Sequence, residues 1–90
     1  MNLPIDLPNI EVTSVRVDDG APVCGKTLMQ LMLRKKYDIT IVAIQHGEHL
    51  IEHPEANSEL HGGDIVYILG RPEKLENSFD LFIDSTLDLA

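Results

Sequence analysis

Two groups of residues in this chain have types and spacings that chemistry could use. The first is Gly20-Ala21-Pro22-Val23-Cys24-Gly25-Lys26-Thr27, which satisfies G-x-x-x-x-G-K-[ST] in full. In a phosphate-binding loop the backbone N–H groups cradle phosphates, the lysine reaches the outer phosphates and the hydroxyl holds magnesium. Three features oppose that reading. Pro22 has no N–H to give. No later apolar run ends in a magnesium-holding aspartate, since Ile39–Ile44 leads into Gln45 and Ile65–Leu69 into Gly70. Ninety residues are also too few for the parallel sheet such hydrolases build. A small nucleotide-binding protein using Gly20–Thr27 is therefore the alternative reading, beside a plain strand-to-helix loop.

The second group is His46, His49 and His53, with Glu48 and Glu52 interleaved. Imidazole and carboxylate suit zinc or nickel. On a strand, however, His49 and His53 stand about 13 Å apart at 3.3 Å per residue, too far to share an ion. His46 and His49 could face each other across a hairpin, but two ligands make a weak site. Solvated turn histidines able to titrate near neutral pH are the simpler reading, and no metal site is expected. No carboxylate pair falls at a spacing that implies a shared pocket, and neither Cys24 nor any serine has an evident base beside it. No catalytic residue, no enzyme activity and no cofactor are expected.

The elements that must position these residues follow from periodicity and turn chemistry. Residues 1–9 (MNLPIDLPN) read as a linker, because Pro4 and Pro8 forbid helix. Ile10 to Val17 read as a strand whose apolar parity switches between Val12 and Val15, the mark of a bulge or of burial on both sides. Lys26 to Lys36 read as one helix with Leu28, Leu31, Met32 and Lys35 along a stripe that Met29 and Leu33 broaden. Arg34, Lys35 and Lys36 fall in its last turn, where cations suit the helix dipole. Met29 and Met32 read as core or as a dimer contact. The run Ile39–Ile44 predicts a central strand buried on both faces. Gly47-Glu48 suits a two-residue turn that returns His49–His53 as a strand, with His46 opposite His49. Pro54 ends that strand, residues 55–63 form a polar turn, and Ile65–Leu69 is a third apolar strand closed by Gly70. Pro72 opens a final helix with Leu75, Phe79, Phe82 and Ile83 on one face. The fold class is α+β: a single domain, β-α-β-β-β-α, with one mixed or antiparallel sheet.

Composition bounds the partners. The chain carries 7 Lys plus Arg against 15 Asp plus Glu, a net charge of −8. Phosphate contacts need clustered cations, so no nucleic-acid partner is expected. The longest apolar stretches run to about five residues, so no direct membrane insertion is expected, and residues 1–9 lack the pattern of a signal peptide. The lone Cys24 cannot form an internal disulfide, which favours a reducing cytoplasm. A domain this small gains core by pairing, so a homodimer is expected.

The ordered set of motifs resembles a known family. A strand, then Val23-Cys24-Gly25-Lys26-Thr27-Leu28, Leu31, Leu33, Tyr37 and Ile39–Ile44 looks like the first half of a TrkA-C domain, the C-terminal half of the unit that regulates conductance of potassium. Gln45-His46-Gly47, Pro54, Asn57-Ser58, Leu60, Gly63-Asp64, Ile65–Leu69 and Gly70 match its second half. On that resemblance residues 10–84 form the regulatory domain and 85–90 a C-terminal tail. The resemblance implies a cytoplasmic, non-catalytic homodimer at the cytoplasmic face of the cell membrane, whose parent or partner is a potassium or other cation transporter, a channel or a cation/proton antiporter. It implies a small-molecule effector in a cleft lined by Ile41, Val42, Ala43, Ile44, His46 and Pro54. In some members that effector is cyclic di-AMP. Here Gln45 and His46 stand where an arginine would pair with phosphate, and a neutral imidazole supplies no such bidentate charge, which argues against cyclic di-AMP. A dimerisation module without ligand is the remaining alternative.

Overall fold

The computed structural model describes residues 10–85. The expected linker 1–9 and all but the first residue of the expected tail lie outside the described residues. The chain forms β1 (Glu11–Arg16), α1 (Leu28–Leu31), α2 (Leu33–Tyr37), β2 (Thr40–His46), β3 (His49–Glu52), β4 (Ile65–Gly70) and α3 (Pro72–Ser78), with a 3-10 turn at Phe79–Leu81. The strands make one sheet in the order β1-β4-β2-β3, and every pairing is antiparallel.

Alternation along the strands sorts the sheet into two faces. Val15, Ile41, Ile44, Val66 and Ile68 point inward, where Leu33, Leu60, Leu75 and Phe82 meet them in the core. Val12, 59% exposed, lies on the other face. β1 pairs with β4 in unbroken register from Glu11↔Gly70 to Arg16↔Ile65. The parity switch in that strand is therefore outward exposure of Val12, not a bulge.

The irregularity sits in β2 instead. Register with β4 jumps between Ile41↔Ile68 and Ala43↔Tyr67, leaving Val42 as the extra residue. That single insertion puts both Ile41 and Ile44 on the core face although they are three apart. β2 is central, as expected, but it is buried on one face rather than two, because helices cover only the inner side.

The expected single helix over 26–36 is two helices. Thr27 caps the first: its hydroxyl accepts from the Gln30 N–H at 3.2 Å, and the Gln30 side chain accepts from the Thr27 N–H at 2.9 Å. Met32 then adopts a left-handed conformation, φ 50°, and closes α1 by donating to Leu28 O. α2 restarts at Leu33, which the bend drives into the core, while Met29 and Met32 stay exposed. These methionines are thus not core.

Candidate functional site

The break at Met32 opens a groove. Its floor is Leu33, Ile39 and Ile41, its walls are Leu28, Met29, Met32, Pro54 and Ala56, and Arg34 and Lys35 stand at its edge. The space is about 480 Å³, within the range of small-molecule sites, and mostly apolar. Gly70 explains why the floor is dense: a Cβ there would come within 3.1 Å of the Ile39 side chain and 3.3 Å of that of Leu75.

Of the six residues expected to line a cleft, the structure brings two together here, Ile41 and Pro54. Ile44 is core, paired across the hairpin with Ile51. Val42 is the bulged residue and Ala43 pairs with Tyr67, so neither lines this groove. His46 lies at the far end of β2, beyond the groove. Sequence reasoning missed Arg34 and Lys35 as site residues, reading them only as cations suited to a helix end. Their closeness to Met32 was the available signal.

From Ala21 to Thr27 the loop's N–H groups are already engaged, which leaves a phosphate cradle without its donors. Ala21 N–H donates to Asp18 O, Val23 to Leu81 O, Cys24 to Ala21 O, Gly25 to Leu60 O at 2.7 Å, Lys26 to Val23 O and Leu28 to Ser58 O. Thr27 spends its N–H and hydroxyl on the helix cap. The glycines serve geometry, with Gly20 at φ 84° and Gly25 at φ 80°. The loop ties β1, the segment around Leu60 and the C-terminal turn together, and the nucleotide-binding alternative falls on that accounting.

A second constellation gathers at the turn end of the sheet. The two-residue turn forms as expected, with Gly47 at φ 59° and His46 paired with His49. β3 stops at Glu52, one residue early, because His53 takes φ 50°. His46 Nδ1 lies 2.5 Å from Asp64 Oδ1, and Asp64 is 2% exposed. Asp64 Oδ2 accepts from the His61 N–H at 2.9 Å. The His46 and His61 rings stand 5.3 Å apart. His49 and His53, grouped with His46 by the sequence, are not in this cluster. His61 and Asp64 were overlooked because only the β2–β4 pairing, which sets Gln45 opposite Ile65, carries residue 46 to residue 64.

Comparison with known proteins places this geometry. The TrkA-C domain matches residues 12–82. The Ktr system potassium uptake protein C of Bacillus subtilis is 37% identical over 60 residues, covering 67% of this chain and 27% of that protein. The K(+)/H(+) antiporter subunit KhtT of the same organism is 30% identical over 69 residues, covering 76% of this chain and 42% of that protein. The chain thus spans less than half the length of either relative. Among solved structures, the RCK C domain of the potassium transport protein KtrA, in complex with cyclic diadenosine monophosphate, superposes with a TM-score of 0.71 at 28% identity, covering 82% of this chain and 84% of that one. The RCK_C domain dimer of Streptococcus agalactiae BusR shares the fold, with a TM-score of 0.73 at 24% identity over 79% of this chain and 93% of its own. No described helix is long and apolar enough to cross a membrane. With its antiparallel sheet, its helix pair and an ordered match along nearly all the described residues, the chain belongs to the TrkA-C domain family, whose members are regulatory rather than catalytic.

Proposed function

We propose that this chain is the effector-sensing and dimerisation domain of a potassium or other cation transport system, acting in the cytoplasm at the membrane face. One observation carries the reading: a monomer leaves an apolar groove open between α1, α2 and the start of β2, with Met29, 64% exposed, on its rim. Apolar surface gathered in this way marks a place where something binds. A second copy seated beside the groove would turn it into an enclosed cleft. An effector held in that cleft favours one arrangement of the two copies, and a coupling of about 1–3 kcal/mol changes transport several-fold.

The edge of the groove bears on the effector's charge. Arg34 and Lys35 supply there the positive charge that Gln45 and His46 do not supply at the turn. An anionic effector with apolar surface fits that combination, so cyclic di-AMP, bound by the KtrA neighbour, is the first ligand to test. The overall charge of −8 supports protein and small-molecule partners rather than nucleic acid.

Sedimentation velocity at micromolar loading is expected to show a dimer, and titration with cyclic di-AMP to raise the melting temperature. A dimer that ignores cyclic di-AMP keeps the assembly and sends the effector search to other anions. A well-folded monomer at every concentration overturns the proposal.

A further inference from the structure

We infer that His46, His61 and Asp64 form a binding site for a divalent transition-metal ion of the zinc class. Each of the three offers one ligand atom, and these atoms all lie within 4.8 Å of one another. Zinc bonds nitrogen and carboxylate oxygen at about 2.0–2.2 Å, which sets its ligands roughly 3–4 Å apart. The remaining gap is small, and both histidine side chains are about half exposed and free to rotate toward it. Two imidazoles and one carboxylate select zinc, cobalt or nickel over calcium and magnesium, which want oxygen donors alone.

The surroundings are arranged as a metal site needs. Asp64 is buried and fixed: its Oδ2 accepts the His61 N–H at 2.9 Å, leaving Oδ1 directed at His46. His61 turns Nδ1 toward Asp64, at 3.8 Å from Oδ2, and turns Nε2 toward Glu59 Oε1 at 3.5 Å. With a metal on Nδ1, the Nε2–H donates to Glu59, which is the carboxylate–histidine–metal relay that orients ligating imidazoles. His46 would carry its proton on Nε2, on the solvent side, and give its Nδ1 lone pair to the ion. Water would supply the fourth donor. The ion would clamp the β2–β3 turn to the loop that leads into β4. Of the histidines singled out in the sequence only His46 takes part, joined by two residues from the loop before β4.

Zinc chloride followed by calorimetry, and cobalt(II) followed by its visible absorption, test the site on the purified chain. A single equivalent of zinc is expected to bind, and cobalt to give the intense bands of low coordination number. His46→Ala and His61→Ala should each weaken zinc at least ~10-fold, and Glu59→Gln by about 10-fold through the lost relay. His53→Ala should leave affinity unchanged. Because Asp64→Asn disturbs a buried group and risks the fold, the exposed double variant His46→Ala/His61→Ala, checked for native circular dichroism, is the decisive one. Unchanged zinc affinity in that double variant, an absence of cobalt bands in the unsubstituted chain, or loss of binding in His53→Ala overturns the assignment.

Discussion

Gly62 lies over Asp19 with no room for a side chain. A Cβ built on Gly62 would come within 1.8 Å of Asp19 Oδ1 and 3.2 Å of the Asp19 Cα. The carboxylate can swing aside, but the backbone of Asp19 cannot, because its neighbour Asp18 holds the C-terminal segment. Asp18 donates its N–H to Phe82 O at 2.9 Å, and its carboxylate accepts the Asp84 N–H at 3.0 Å. Gly62→Ala is expected to destabilise the domain by about 1–3 kcal/mol, the usual effect of forcing extra volume into a filled space. Urea denaturation measures it, and an unchanged midpoint would show that Asp19 yields freely.

The helix cap gives a prediction that also bears on nucleotides. Thr27→Ala removes one half of the reciprocal cap with Gln30 and should cost about 1 kcal/mol. Lys26→Ala, at an exposed position, should stay within about 0.5 kcal/mol of the unsubstituted chain. Magnesium-ATP should leave the melting temperature of all three proteins unmoved, as the amides from Ala21 to Thr27 are already engaged. A magnesium-dependent rise that vanishes in Lys26→Ala would restore the phosphate-loop reading.

Phe82 is wholly buried although it follows the last regular element. Phe82→Ala should cost about 3–5 kcal/mol, a large share of the total for so short a chain. Loss of the cooperative thermal transition is the expected readout. A transition lowered by only a few degrees would mean that the C-terminal segment is dispensable to the core.

Two backbone positions should respond in opposite directions. Gly25 has φ 80° and nothing within 4 Å of a built Cβ, so Gly25→Ala should cost about 1–2 kcal/mol through conformation alone. Asp38 caps α2 with φ 57° while exposed, so Asp38→Gly should raise stability by a few tenths to about 1 kcal/mol. Chemical denaturation of both variants reads the signs directly.

Met29→Glu separates folding from assembly. The side chain is exposed, so the monomer's stability should move by less than about 0.5 kcal/mol. Charge placed on the rim of an apolar groove should weaken self-association at least ~10-fold, since about 1.4 kcal/mol per tenfold is easily exceeded by burying an unpaired carboxylate. Concentration-dependent sedimentation of the variant decides it; an unaltered dimer removes Met29 from the interface.

The architecture was legible in the sequence wherever the signal is local. The β-branched run Ile39–Ile44, the glycine at position 47, the proline at 72 and the apolar stretch Ile65–Leu69 each announce their element through period or turn chemistry. The break at Met32 was not legible, because methionine has no preference for left-handed backbone and the apolar stripe continues across it. Nor was the bulge at Val42, since a run that is apolar at every position reads the same in either phase. The site was legible only in part for the same reason: Ile41 and Pro54 stand in the groove, while the residues that share its rim come from the helix bend. The meeting of His46 with Asp64 depends on strand pairing, which no short-range pattern encodes.

The extra residue at Val42 works as a phase shift along one strand. Were the strand to run straight with Val42 taken into the ladder, every side chain from Ala43 to His46 would trade sides: Ile44 would leave the interior, and His46 would swing off Asp64 to the opposite surface. The first half of the strand, facing the groove, would be untouched. Deleting Val42 outright would instead give a regular strand with Ile41, Ile44 and His46 still on one face, so the histidine cluster depends on the partner strand β4 and not on the number of residues in β2.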